Sequence, residues 1–172
     1  MAEKEPVAAR PLLAEDASPT PWAEARDRLE AAGSFWLATA RPDGRPHVRP
    51  ILAIWLDGAL YFVANAASRK ARNLARDPRC VITATSHDSD LVVDGEAAIV
   101  RDEATPRRVA DRYAAKYDWH VAVRDGAFFA DGAPTAGPPP YDVYEVTLTT
   151  VFAFGKDESF RPTRWRFSRA RL

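Results

Sequence analysis

The 172 residues include 24 basic and 24 acidic side chains, with 47% hydrophobic and 28% charged residues, the make-up of one globular domain with a single core. That balance leaves no whole-molecule field to favour nucleic acid or an anionic membrane, so any basic patch is local and no nucleic-acid role is expected. A lone cysteine, Cys80, excludes an internal disulfide framework and three scattered histidines give no zinc spacing; no run approaches 18 apolar residues and the acidic start Met1-Ala-Glu-Lys-Glu-Pro6 lacks an apolar signal region, so a cytoplasmic protein is expected.

Residues 1–19, with Pro6, Pro11 and Pro19 among Ala, Glu and Lys, read as a flexible, extended arm ahead of one domain spanning 20–172. Thr20 as N-cap, Pro21 at the first helical position and Trp22, Ala25, Leu29 and Ala32 on one face predict a helix stopped by Gly33. Ser34 to Ala40, a turn at Pro42-Asp43-Gly44, and Pro46 to Leu56 predict a hairpin with a long second strand. Period two puts His47, Arg49, Ile51, Ala53 and Trp55 on one face of that strand. Pro50 cannot donate to a ladder and marks an edge or bulge, where backbone groups are free to approach a ligand ring. Asp57-Gly58 is the strongest hairpin signal in the chain, and Ala59 to Asn65 forms the return strand.

The next stretch, Ala66 to Arg79, organises the reading of the rest. Ser68 is a good N-cap, Asp77 before Pro78 is a stop, and Ala71, Leu74 and Ala75 recur on one apolar face, so a short helix is expected. Its first turn carries Arg69, Lys70 and Arg72, although a helix N-terminus already bears partial positive charge and unpaired N–H groups. A phosphate or carboxylate held by those N–H groups, the Ser68 hydroxyl and the Lys70 ammonium resolves the conflict. A solvated basic helix is the other reading of the same residues. Because the strands joined at Asp57-Gly58 feed directly into this helix, Arg49, the Phe62-Val63 backbone and Ser68 to Lys70 can converge on one ligand.

Arg79 to Ser86 and Leu91 to Val100 are further β-rich runs about a polar turn at His87 to Asp90. Thr105-Pro106 opens a helix whose Val109, Tyr113 and Tyr117 recur at i+4. Residues 118–140 hold three glycines and four prolines without a period and read as a loop or lid, whose Trp119, Phe128 and Phe129 either cover a planar ring or staple the loop to the core. Tyr141 to Gly155 is a long strand, and Arg164 to Ser168 a last short one. The expected fold is mainly β with peripheral helices, a six- to seven-stranded antiparallel barrel, with a β-sandwich as the second choice. Cys80 reads as a small buried hydrophobe, and His47, His87 and His120 have no acid partner visible in the sequence, so no catalytic side chain is assigned.

Gly44-Arg-Pro-His-Val-Arg49-Pro-Ile-Leu52, Leu60-Tyr-Phe-Val63, Ser68-Arg-Lys-Ala71, Asp77-Pro-Arg79 and Leu91-Val-Val-Asp-Gly-Glu-Ala97 together resemble the pyridoxamine 5′-phosphate oxidase-like split-barrel flavoproteins. The ending Thr163-Arg-Trp-Arg-Phe167 is similar to the close of an actinobacterial-type subgroup that binds flavin mononucleotide (FMN), flavin adenine dinucleotide (FAD) or the deazaflavin coenzyme F-420. The resemblance implies a split β-barrel in which Arg49, Arg69 and Lys70 bind the cofactor phosphate, at the same helix start whose Ser68 hydroxyl is itself read as a phosphate-binding group. It further implies that the backbone at Pro50, Ile51, Leu52, Phe62 and Val63 lines the ring, with Trp165 also at the cofactor. Ile54 stands where true pyridoxamine phosphate oxidases place a substrate-binding lysine and Asp90 where they place a flavin-contacting glutamine. The helix Thr105 to Tyr117 also lacks their substrate-phosphate residues, so a genuine vitamin B6 oxidase is not expected.

The function expected is hydride transfer to or from a small organic substrate by a homodimer carrying FMN, with F-420 or FAD as alternatives. FMN is preferred because its phosphate ends the molecule, whereas Arg72, Arg76 and Arg79 offer a track for the acidic tail of F-420. The cofactor carries the chemistry, so the absence of a side-chain triad does not argue against an enzyme. The resemblance, together with five Trp and eight Phe that suggest more apolar surface than one small barrel needs, implies a dimer with two equivalent sites at the subunit interface. The rival classes are a non-catalytic flavin- or haem-binding protein and a protein-interaction module on the same barrel.

Overall fold

The computed structural model describes residues 4–13, 17–131, 137–156 and 160–168. Three helices, α1 (Trp22–Ala31), α2 (Arg69–Arg76) and α3 (Ala104–Tyr117), accompany one antiparallel sheet. Its strands are β1 (Ala8–Pro11), β2 (Phe35–Ala40), β3 (Pro46–Ile51), β4 (Ala53–Leu56), β5 (Ala59–Ala64), β6 (Arg79–Thr85), β7 (Ser89–Ile99), β8 (Ala122–Arg124), β9 (Ala127–Phe129), β10 (Tyr141–Gly155) and β11 (Thr163–Arg166).

The long strand β10 is the axis of the sheet. Its first half pairs with β5 on one edge, its second half with β11 on that same edge, and β7 follows the other edge from Tyr144 to Gly155. The main path runs β1-β11-β10-β7-β6-β2-β3 and ends on β1 and β3 without closing, as in a split barrel. β-Hairpin chemistry sets much of this register: Asp57 and Gly58 both have positive φ, the geometry of the tightest two-residue turn, and join β4 to β5.

One face of the curved sheet is the core. Arg49, Leu37, Ile82, Val93, Val151 and Trp165 are consecutive cross-strand partners from β3 to β11, and all but Arg49, on the edge strand, are buried. Trp22 of α1 closes this core by packing edge-on against Trp55, Trp165 and Phe167. A second apolar cluster lies under α3, where Tyr113 packs against Trp119 and Phe128 beside Ile54 and Tyr141. The Arg28 guanidinium clamps α1 to the β6–β7 turn by donating from Nε and Nη2 to Asp88 at 3.0 and 2.6 Å, which holds the Asp88 carboxyl well below its ordinary range.

Several elements differ from expectation. The sheet has eleven strands among the described residues rather than six or seven. The excess comes from short pieces whose partners are far away in sequence. Ala8–Pro11 of the arm is extended but forms an edge strand on β11, and residues 122–129 of the expected loop form a hairpin seated on β10. Phe128 is thereby core, and Trp119 packs on Tyr113, Phe128 and Tyr141. Thr20 does not cap α1: its N–H donates to Thr163 Oγ1 and its hydroxyl to the Arg161 carbonyl, while Pro21 occupies the cap position. The Pro46–Leu56 run breaks at Leu52, because β3 pairs with β2 and β4 with β5.

Gly95 explains part of the Asp-Gly-Glu sequence on β7. A Cβ there would lie 2.6 Å from Val146 Cγ1 and 2.7 Å from the Thr147 carbonyl oxygen, so β10 crosses too close for any side chain. Gly95→Ala is expected to destabilise the fold by about 1–3 kcal/mol through overpacking, read as a lower urea midpoint with an unchanged m-value.

Candidate functional site

The N-terminus of α2 and the edge strand β3 form the two walls of a cleft of about 400 Å³, lined by His47, Arg49, Pro50, Ser68, Arg69 and Lys70. Local chemistry builds each wall. Ser68 is in an extended conformation and its Oγ accepts the Ala71 N–H at 3.3 Å, capping the helix. The N–H groups of Arg69 and Lys70 precede the first intrahelical acceptor and stay free for a ligand. Pro50 lies on β3, which among the described residues pairs with β2 alone, so the edge expected from the proline is observed.

A buried polar contact fixes the walls against each other. Asn73 Nδ2 of α2 donates to Thr39 Oγ1 of β2 at 2.9 Å, and Thr39 Oγ1 in turn approaches the His47 carbonyl of β3 at 3.5 Å. Asn73 and Thr39 are both buried. Arg76 completes the docking by donating to the Ala40 and Arg41 carbonyls, each at 3.0 Å.

The electrostatics are one-sided. Lys70 is only 9% exposed, yet it has no hydrogen bond or acidic partner among the described residues. Burial, and then the Arg49 guanidinium, push its ammonium below the ordinary lysine range. His47 is 5% exposed with a buried Nδ1 that has no partner. Its pKa is lowered by burial first, then by Arg49, Arg41, Arg69 and Lys70. Arg49 donates to the Val48 carbonyl at 2.9 Å, and among the described residues no acid answers Arg49 or Arg69. No acidic side chain lines the cleft. An anion of phosphate type fits this donor set: two guanidinium groups, an ammonium, a hydroxyl and two helix N–H groups.

His47 was not singled out as a site residue by the sequence, although period two had placed it on the face of Arg49. Its burial beside three cations is a tertiary fact. The remaining sequence-derived positions lie elsewhere. The β4–β5 ladder ends at Ala53–Phe62, so Leu52 and Val63, next in register, lie just beyond it. Leu52 is 44% exposed, while Ile51 and Val63 are half-buried. The Phe62 side chain is buried and stacks on Tyr144 with ring centroids 5.0 Å apart. Tyr113 donates to the Leu52 carbonyl at 2.7 Å and Tyr117 to that of Ala53 at 2.6 Å, so α3 holds the break between β3 and β4 in place. Trp165 is not at this cleft. It is fully buried, donates its Nε1 to the Thr20 carbonyl, and is five strand-to-strand steps from Arg49. The arginine track is also incomplete: Arg76 is committed to β2 carbonyls and Arg79 to a forked pair with Asp77. Ile54 is buried in the cluster under α3, and Asp90 is ion-paired with Lys156 at 3.3 Å. Cys80 is buried and its thiol is pushed up to about 12, which leaves it inert at neutral pH.

The sequence profile described as pyridoxamine 5′-phosphate oxidase matches residues 21–155. The chain belongs to the pyridoxamine 5′-phosphate oxidase-like family. A pyridoxine/pyridoxamine 5′-phosphate oxidase of Porphyromonas gingivalis is 30% identical, the match taking in 60% of this chain and 53% of that protein. The chain thus spans about half the length of the curated relatives it matches. Among solved structures, the conserved hypothetical protein Rv2991 of Mycobacterium tuberculosis superposes with a TM-score of 0.63 at 22% identity, over 79% of this chain and 85% of that one. An F-420 reductase superposes with a TM-score of 0.52 at 24% identity, over 73% of this chain and 94% of that one. These likenesses establish a shared fold. Within the family fold the cleft occupies the junction of the β3 edge with α2.

The unpaired Lys70 makes a stability prediction. In the unfolded chain it titrates near 10.5, whereas in the ligand-free fold it titrates lower, so between the two values the unfolded chain holds the extra proton. Ligand-free stability therefore rises with pH across that window. Lys70→Met should stabilise the ligand-free protein by on the order of 1 kcal/mol at neutral pH, roughly 2–4 °C in Tm, and flatten that rise. Thermal unfolding at several pH values checks both.

Proposed function

We propose that the chain is a flavin-dependent oxidoreductase that binds FMN with its phosphate in the α2–β3 cleft. The observation that carries this reading is Lys70, nine-tenths buried among cations with no acid to answer it among the described residues. A fold keeps such a group at a cost only where a bound anion repays it. Arg49, Arg69 and Lys70 would hold the phosphate oxygens, Ser68 and the first helix N–H groups would complete its shell, and His47 Nδ1 would gain a partner. The backbone of Pro50, Ile51, Leu52 and Val63, beyond the end of the β4–β5 ladder, would face the ring. When bound, the flavin supplies hydride transfer, and this chain's groups bind and orient it.

FMN is favoured over the longer cofactors because Arg76 and Arg79 are already engaged, leaving Arg72 as the one arginine of the presumed track whose side chain has no partner among the described residues. F-420 remains the second reading on the strength of Arg72, and FAD follows it. A genuine pyridoxamine phosphate oxidase is disfavoured by Ile54, since a dianionic substrate would meet no charge there. Titration of FMN, FAD and F-420 into the apo protein should give tightest binding for FMN, with Arg49→Ala and Lys70→Ala each costing about tenfold or more. Unchanged affinity in both variants for every cofactor would mean that α2 is a solvated basic helix.

The assembly we infer is a homodimer through the outer face of the sheet. Pro50, Trp36, Thr83, Val92 and Phe152 are consecutive cross-strand partners on that face. Trp36 is 49% exposed, Val48 44% and Phe154 45%, and the same sheet carries a groove of about 420 Å³ lined by Ala38, Pro46 and Val81 together with Arg79, Asp94 and Glu96. A 19.0 kDa species in sedimentation at micromolar concentration would contradict the dimer, and Trp36→Glu should produce it.

A further inference from the structure

The outer-face row does not end at Phe152. Its next partners are Arg164 of β11 and then Arg10 of β1, and one step along the strand Arg166 faces Ala8. Direct partners in an antiparallel pair share a face, as do residues two apart on one strand, so all three arginines project from the same side. Arg10, Arg164 and Arg166, with Ala8, line a cleft of about 150 Å³. None of the three guanidinium groups has a hydrogen bond or an acidic partner among the described residues. Asp94 stands two strands from Arg166 in the same row, with Thr150 between them, and among the described residues no ion pair joins the two.

Like charges directly opposite each other weaken a strand pair, and β1 is held by only four register positions. The arm nevertheless places Arg10 against Arg164. Exposed arginines on an edge strand commonly serve to block edge pairing, but that use needs one charge facing solvent and not three sharing a cleft. A planar fork with five donors is the group best suited to grip an oxyanion from two sides.

We infer that Arg10, Arg164 and Arg166 form a second anion site, separate from the flavin-phosphate cleft, for a compact multivalent oxyanion such as a diphosphate or a tricarboxylate. Its volume of about 150 Å³ is of the size of one such group. A bound anion cancels the Arg10–Arg164 repulsion and so tightens β1 on β11, which makes the seating of the N-terminal arm responsive to the ligand.

The test uses the full chain carrying Arg49→Ala and Lys70→Ala, which disables the first cleft. Calorimetric titration of this background with inorganic pyrophosphate, and in a second arm with citrate, should show one site whose affinity falls with added salt. The better of the two probes identifies the phosphate or the carboxylate class. Arg164→Ala should weaken it about tenfold or more. Arg10→Ala, on an edge strand where folding is least at risk, should do the same. Hydrogen exchange of the amides of residues 8–12 should slow when the anion is added and should not slow in Arg10→Ala. The proposal fails if neither probe binds at millimolar concentration, or if binding persists unchanged in Arg10→Ala and Arg164→Ala. Because the background lacks the first cleft, its outcome is independent of whether FMN is the cofactor.

Discussion

The contact between Asn73 and Thr39 sets the geometry on which the candidate site depends. α2 is a helix of eight residues carrying four cationic side chains, too short and too charged to hold its place by apolar burial alone. Ala71 and Leu74 give it a small apolar footing, and the buried amide-to-hydroxyl bond to β2 gives it a direction. That direction brings the helix N-terminus to the β3 edge, so that Ser68, Arg69 and Lys70 share one cleft with His47, Arg49 and Pro50. Without it the helix could rotate its cations into water, which is the lower-energy state for each of them taken singly.

The cleft thus stores electrostatic cost. Burial and the neighbouring cations lower both Lys70 and His47, and no acidic side chain lines the cleft. Pre-set, partly desolvated cations give an anion stronger contacts than solvated ones, since little reorganisation is left to do when it binds. The same separation of roles is visible in the sheet, where the inner face provides the core and the outer face stays apolar in its middle and cationic at its β1–β11 end. Two cationic clusters therefore stand on opposite edges of one sheet, built differently: one on a helix terminus with a buried lysine, the other on strand arginines alone.

The tyrosines of α3 do a quieter job. Where β3 hands over to β4 the chain needs partners for backbone groups that no ladder serves, and Tyr113 and Tyr117 supply them from their hydroxyl groups. Their rings belong to the second core, so the break at Leu52 is fixed by the packing of a helix more than fifty residues later.

Much of this was legible in the sequence because it is local. The Ser68 cap, the Asp57-Gly58 turn, the Pro50 edge and the long β10 strand depend on residue type and on neighbours within a few positions, and each is found in the fold. The clash of three cations with a helix N-terminus was likewise readable before any coordinates, and the family follows from the same motifs. Tertiary structure decided what depends on distant partners. It drew Ala8–Pro11 and residues 122–129 into the sheet through ladders with strands elsewhere in the chain, sent Thr20 to Thr163 instead of to its own helix, and buried Trp165 against Trp22. It also added His47 to the cleft and took Arg76 and Arg79 out of play. The physical reason is common to all of these: side-chain burial and cross-strand pairing are set by which segments meet in space, and a one-dimensional pattern carries the propensity to meet without naming the partner.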